Sequence, residues 1–143
     1  MLEEYGVLIN FMVLVVLIFT FILGIFGYSL SKKNIKKRDY EKILEHVYNP
    51  LEKAITTLHL EIENSKTNIK GDSFKNFETA YLDVKKNYGH LIDNETNRYI
   101  NDLYRANEDL DHYDEEKYKN FVALTGIVRT HMGHKVKEIN EKL

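Results

Sequence analysis

Near the carboxyl end of the chain, two histidines and a glutamate have types and spacings that could bind a metal ion. His131, His134 and Glu138 lie at positions i, i+3 and i+7 of a segment with helical periodicity. Imidazole nitrogens and carboxylate oxygens are ligands of zinc and of iron. A di-iron carboxylate bundle, however, needs Glu-x-x-His on each of two helices, and the chain contains no such pair. We therefore predict no metal site and interpret the three residues as the polar edge of a helix.

A run of acidic residues at 108–116 is the second group that could bind an ion. A calcium loop requires oxygen ligands at fixed positions and a glycine at its bend. Here Tyr113 occupies a ligand position and the glycine is missing. We interpret the run as a solvated turn in which Asp114 begins the next helix as its N-cap. A docking surface for a basic partner is the alternative interpretation.

Composition excludes several other kinds of chemistry. The chain has no cysteine, which rules out disulfides, zinc thiolates and cysteine nucleophiles. It also lacks the Walker phosphate-binding loop and the Gly-x-Ser-x-Gly element of serine hydrolases. After the basic residues near position 35 the chain is acidic, whereas nucleic-acid binding requires clustered cations. We predict no enzymatic activity, no cofactor, no small-molecule substrate and no nucleic-acid partner.

The first structural element of the chain is an apolar segment that is long enough to cross a membrane. Residues 5–31 contain no charged side chain, and about 20 apolar residues suffice to span the bilayer core. The segment is longer than the apolar core of a cleaved signal peptide, and acidic rather than basic residues precede it. We predict a transmembrane helix in residues 1–31, with Tyr5 and Tyr28 near the two interfaces.

A cluster of five basic residues follows the apolar segment within seven positions. Its members are Lys32, Lys33, Lys36, Lys37 and Arg38. Because cytoplasmic flanks of membrane spans carry the excess of lysine and arginine, we expect the N-terminus outside and residues 32–143 in the cytoplasm, at the inner (plasma) membrane. Residues 32–38 thus form a basic juxtamembrane stalk. Binding to anionic lipid, worth about 1 kcal/mol per cation, is compatible with this role.

The remaining residues, 39–143, have the spacing of helices throughout. Apolar residues recur at alternating intervals of three and four, as in helices packed with coiled-coil-like seams. The first such run, predicted to lie on one buried helix face, is Tyr40, Leu44, Val47, Leu51, Ile55, Leu58, Ile62 and Ile69. Gly71 is suited to end one helix, and Asp72 or Ser73 to cap the next. No segment shows the alternation of a strand. The sequence therefore predicts an all-α fold.

The segment around Gly89 leaves two architectures open. Gly89 could end a helix and Asp93 or Asn94 could begin the next, but the apolar spacing continues across this point with one four-residue step. The outer helices are about 30 residues long, roughly 45 Å, and only one middle helix over residues 73–111 matches that length. We therefore predict an antiparallel bundle of three long helices, the middle one kinked or broken near Gly89. A four-helix bundle is the alternative.

The last predicted helix carries the seam that we expect to take part in binding. This interaction seam consists of Tyr118, Phe121, Val128, Met132, Val136 and Ile139. Gly126 and Gly133 interrupt the same helix, each at a cost of roughly 1 kcal/mol relative to alanine, which favours a close crossing with another helix. The expected partners are the lipid bilayer and either a second copy of the chain or a helical protein.

These observations predict a non-enzymatic interaction or scaffold module. It would tether itself or a partner at the cytoplasmic face of the inner membrane. The alternative is a transmembrane signal transmitter or membrane-perturbing effector that acts through oligomerisation. The richness in Lys, Asn, Ile, Tyr and Glu is typical of a low-GC bacterium or its phage.

Overall fold

The computed structural model describes residues 2–64, 72–110 and 114–143, and for residues 2–8 and 72 it describes the backbone alone. These residues are almost entirely helical and contain no β-strand, so the all-α prediction is confirmed for them. The α-helices are α1 (Leu2–Ile43), α2 (Asn49–Asn64), α3 (Asp72–Tyr88), α4 (Asn94–Glu108) and α5 (Glu115–Asn140).

The chain divides into two compact units, Met1–Asp39 and Tyr40–Leu143. The first unit consists of the greater part of α1. The second unit, called the body below, contains the end of α1 and the helices α2 to α5. It holds every residue of the buried apolar core among the described residues.

A π-helical turn, Leu44–Tyr48, lies between α1 and α2. The backbone N–H of Asn49 donates a hydrogen bond to the carbonyl of Leu44, five residues earlier, whereas an α-helix bonds residues four apart. Pro50 explains the local geometry, because proline has no N–H to donate and its ring crowds the carbonyl four residues earlier. The helical path therefore continues through Pro50 with one widened turn rather than ending there.

The segment predicted as one middle helix forms two helices, α3 and α4. α3 ends at Tyr88, Gly89–Leu91 forms a single 3₁₀ turn, and Ile92 is extended with φ −82° and ψ 123°. The ring centroids of Tyr81 in α3 and Tyr104 in α4 lie 5.9 Å apart, whereas one continuous helix would separate these residues by about 35 Å. α4 thus folds back along α3. The break lies near Gly89 as predicted, but the two halves of the predicted middle helix do not share one axis, and the helix count agrees with the four-helix alternative.

The apolar core lies among α2, α3, α4 and α5. α2 packs against α3 and α5, and α4 packs against α5. Five residues of the apolar run predicted for the first helix of the body point inward: Val47, Leu51, Ile55, Leu58 and Ile62 are each at most 2% exposed. Tyr40 and Leu44 of the same run are partly buried, and Ile69 lies outside the described residues. Spacings of four and three residues place these side chains on one face of the helix, which is why the pattern predicted burial correctly.

Candidate functional site

The apolar part of α1 exposes its side chains on all sides. Between Ile9 and Leu30, every large apolar side chain is at least 37% exposed, the value at Val15, and Phe21 and Tyr28 reach 71%. A helix that is apolar all round is typical of a membrane span or of the centre of a large protein. By length and composition, this helix could cross a membrane.

The predicted membrane flank lies on the same helix. Its five cations are exposed, and α1 continues past them to Ile43. The basic stalk is therefore helical rather than an irregular linker. This places its side chains at fixed angles about the helix axis.

A polar cluster joins the π-helical turn, the start of α4 and α5. Its centre is Asp93, whose Oδ1 accepts a hydrogen bond from the Thr96 backbone N–H at 2.9 Å. Asp93 Oδ2 accepts hydrogen bonds from the Tyr48 hydroxyl and, at 2.9 Å, from the Thr96 hydroxyl. Lys135 Nζ in α5 lies 3.5 Å from the same oxygen. One carboxylate thus caps α4 and links it to two other elements. Together with His131, we call these residues the Asp93 cluster.

His131 extends the cluster through Thr96, which is fully buried. Thr96 Oγ1 lies 2.8 Å from His131 Nε2. Because the single hydroxyl proton of Thr96 is donated to Asp93, the hydrogen bond to His131 must be donated by Nε2–H. The ring of Tyr99 covers His131, with 4.7 Å between ring centroids. α4 and α5 are therefore joined by a directed chain of hydrogen bonds.

The surroundings shift three pKa values in the cluster. Burial alone would raise the pKa of Asp93, but hydrogen bonds from Tyr48 and Thr96 outweigh it and lower this pKa to about 2. Burial and the hydrogen bond to Asp93 raise the pKa of Tyr48 to about 12. Burial lowers the pKa of His131 below its usual 6.5, although Glu95 and Asp93 act in the opposite direction. At neutral pH, the cluster therefore holds a carboxylate, a phenol and a neutral imidazole.

Replacing Asp93 with alanine should lower the free energy of unfolding of the body by about 2–4 kcal/mol. Loss of an N-cap costs about 1 kcal/mol, and an orphaned buried hydroxyl adds about 1–3 kcal/mol. Tyr48, at 3% exposed, would be that orphan. Urea denaturation of a fragment covering residues 40–143 measures the change. Asp93→Asn is the matched control, because the asparagine carbonyl oxygen keeps the N-cap while the acceptor for the Tyr48 hydroxyl is lost, so this variant should lose less than Asp93→Ala. Equal losses in the two variants would contradict this role.

Acid should weaken the body in two stages. A histidine whose folded pKa is depressed contributes stability that is complete above about pH 6.5 and is lost as pH falls through the folded pKa. The contribution of Asp93 is complete above about pH 4 and is lost as pH falls towards 2. Urea midpoints from pH 7.5 to pH 3 test this, with His131→Gln removing the upper stage. An identical pH dependence in wild type and His131→Gln would refute the assignment to His131.

Asp93, Glu95 and His131 bring potential ligand atoms within 4.8 Å of one another. Two carboxylates and an imidazole are a donor set that zinc accepts. Asp93, however, already accepts three hydrogen bonds and faces the Lys135 ammonium, which repels a cation. We therefore assign Asp93 and His131 to the hydrogen-bonded cluster rather than to a metal site. Glu138, which the sequence places on one helix edge with His131 and His134, instead forms ion pairs with Lys135, at 3.9 Å, and with Lys142.

An open groove of about 810 Å³ follows the outer face of α5, bordered by His59 from α2 and Tyr99 from α4. His59 Nδ1 lies 2.8 Å from Thr125 Oγ1, and its Nε2 lies 3.3 Å from a Glu63 carboxylate oxygen. Thr125 is fully buried and donates its own proton to the Val122 carbonyl. α5 is thus joined to α2 by one threonine–histidine pair and to α4 by another.

The two glycines of α5 line this groove. A Cβ added at Gly126 would meet the His59 ring at 3.4 Å, an ordinary contact distance, and one added at Gly133 would meet nothing within 4 Å. Neither glycine is therefore required by a close backbone crossing among the described residues. A close crossing is therefore not found within the described part of the chain, and a crossing with a helix of a second copy stays a prediction.

The predicted interaction seam faces the inside of the body. Phe121, Val128 and Met132 are fully buried, and Ile139 is 6% exposed. Tyr118 and Val136 are partly buried against the same core, and the Tyr118 hydroxyl donates to the Ile62 carbonyl at 3.4 Å. The role of the seam in binding another protein stays a prediction. A partner that used it would first have to separate α5 from α2 and α4.

The acidic run lies partly outside the described residues, since residues 111–113 are not among them. Asp114 is the N-cap of α5, and its Oδ1 accepts from the backbone N–H groups of Glu116 and Lys117 at 3.0 and 3.2 Å. The predicted cap is therefore confirmed. Glu115 pairs with Lys119 at 2.6 Å one turn later.

The sequence contained a signal for the polar contacts, although their partners could not be read from it. Thr96 and Thr125 occupy positions in otherwise apolar runs, and a buried hydroxyl requires a hydrogen-bonding partner. Both partners are histidines that lie 35 and 66 residues away in the sequence. Comparison with protein-family models, with curated proteins and with solved structures finds no match to this chain.

Proposed function

We propose that the chain is a single-pass protein of the inner membrane that holds a helical bundle at the cytoplasmic face. The observation that carries the proposal is the apolar surface of α1 between Ile9 and Leu30, which is exposed on all sides and is followed at once by the basic stalk. Burying such surface in lipid gains about 25 cal/mol per Å². The lysine and arginine excess after the span supports the proposal that residues 32–143 lie in the cytoplasm.

The role we propose for the body is to tether or scaffold a helical partner or a second copy of the chain. In support, the polar side chains of the Asp93 cluster form hydrogen bonds within that cluster. Likewise, His59 and Thr125 form a hydrogen bond with each other. These hydrogen bonds join different helices, so the polar atoms that form them serve the packing of the body. An antiparallel arrangement of α2 to α5 would offer outer helix faces for side-by-side binding.

Single-cysteine labelling tests the proposed insertion and orientation, since the chain has no cysteine of its own. Glu4→Cys should react with an impermeant maleimide in intact cells. Asn120→Cys, exposed on α5, should react only after the membrane is permeabilised. The cysteine-free chain is the control for background labelling. Reaction of Asn120→Cys in intact cells, with Glu4→Cys protected, would reverse the proposed topology.

A second candidate function is transmission of a signal, or perturbation of the membrane, by oligomerisation. The π-helical turn Leu44–Tyr48 favours it, because π-turns within helices often mark functional sites. This function predicts growth arrest or depolarisation on expression that depends on residues 1–31. Unchanged growth and membrane potential at high expression would exclude it.

A further inference from the structure

We infer that four lysines of the stalk form one face of α1 that binds the anionic headgroups of the membrane. The four are Lys32, Lys33, Lys36 and Lys37. The inference rests on the proposed insertion of α1. It goes further by naming the lipid class and the helix face that binds it.

The geometry follows from the helix that contains the stalk. α1 runs from Leu2 to Ile43, so successive residues turn about 100° around its axis. At offsets of zero, one, four and five, the four lysines lie within an arc of about 140°. Asn34, Ile35 and Arg38 lie outside this arc, with Arg38 about 100° beyond its edge. Five of the seven residues 32–38 are cations in the sequence. In the helix, four of these five lie on one side.

One side of the helix is the arrangement that anionic lipid can exploit. The lysines are exposed and lie within about 8 Å along the axis, comparable to the Debye length at physiological salt. A stalk that leans this face towards the surface brings all four ammonium groups to the headgroups, and the flexible lysine stems reach further. Cations spread around the helix could not all reach the surface in any single orientation. Ile35, 48% exposed, lies off the lysine arc.

A permuted stalk separates this inference from a topology signal that depends only on the number of cations. The variant Ile35→Lys/Lys36→Ile keeps the composition and the net charge and moves one lysine by a single position along the helix. Its five cations, Arg38 included, fall at about 0°, 100°, 140°, 240° and 300° around the helix, so no four of them share an arc narrower than about 200°. The positive-inside rule predicts the same orientation for both chains, because it counts cations rather than faces.

The experiment uses the full-length chain in non-ionic detergent and measures phosphatidylglycerol and phosphatidylcholine adducts by native mass spectrometry. Wild type should prefer phosphatidylglycerol, and the permuted stalk should lose about fivefold in affinity for its one displaced lysine. Raised salt should weaken the wild-type preference.

Three outcomes would overturn the inference. These are equal phosphatidylglycerol affinity in both chains, no preference over phosphatidylcholine in wild type, and displacement of the lipid by millimolar inorganic phosphate. The last would indicate a site for free phosphate. Alkaline extraction of membranes is run in parallel, because a wild-type chain that is extracted would contradict the proposed insertion itself. A chain that stays inserted but does not distinguish the stalks contradicts only the lipid-binding face.

Discussion

A chain with lysine in place of both Leu17 and Phe21 should no longer float with the membranes. Both side chains lie near the middle of the apolar stretch of α1, one turn apart, and are 60% and 71% exposed. A lysine at the centre of a span costs about 2.5–3.5 kcal/mol, so the pair should cost about 5–7 kcal/mol. Flotation of carbonate-washed membranes in a sucrose gradient measures the effect, and it separates inserted protein from aggregates, which sediment.

The matched control is Leu17→Ala/Phe21→Ala, which removes the same side chains without adding charge. Alanine is compatible with a membrane helix, so this pair should float with wild type. If the lysine pair floats as fully as the alanine pair, apolar burial of α1 is not what holds the chain at the membrane. That result would contradict the proposed membrane insertion, because the proposal depends on burial of the apolar surface of α1 in lipid.

The helical faces of the body could be predicted from sequence because burial of a helix face is a local periodic property. Leu51, Ile55 and Leu58 were predicted on one face and are buried there. Asp114 was predicted as an N-cap and accepts from two backbone N–H groups. In both cases, the residues that determine the structure lie within one or two turns of each other.

The course of the chain after Gly89 could not be predicted in the same way. The apolar spacing of α3 and α4 is the same whether the second helix continues the first or folds back along it. What distinguishes the two is contact at long sequence separation, such as the packing of Tyr81 on Tyr104 and the hydrogen bond from Tyr81 to Asn97 at 3.2 Å. The length argument for one middle helix failed because it assumed that every helix of the body must match the longest.

The candidate site was missed for a related reason. Asp93 was recognised as a possible helix start, but its bond to Tyr48 spans 45 residues and could not be inferred from spacing. His131 was identified as a potential ligand, yet its partner is a buried threonine of another helix. A buried polar group shows in the sequence only that a partner is needed. The fold determines which residue supplies it.

Replacing Phe121 with alanine should lower the free energy of unfolding of the body by about 3–5 kcal/mol. Phe121 is fully buried, and its ring centroid lies 6.1 Å from that of Phe74 in α3. Alanine leaves a cavity that the surrounding helices can fill only in part, so both apolar transfer energy and packing contacts are lost. Urea denaturation of a fragment covering residues 40–143, followed by far-ultraviolet circular dichroism, gives the change in free energy.

Leu82→Ala is the control, because Leu82 is an apolar helical residue that is 52% exposed. Its effect should stay within about 0.5 kcal/mol, as for other surface substitutions. Domains of this kind are stable by only about 5–15 kcal/mol, so the Phe121 variant should unfold at a clearly lower urea concentration. Equal midpoints for the two variants would place Phe121 outside the core. A wild-type fragment without cooperative unfolding would contradict the helical bundle itself, since a shared core makes separate helices unfold together.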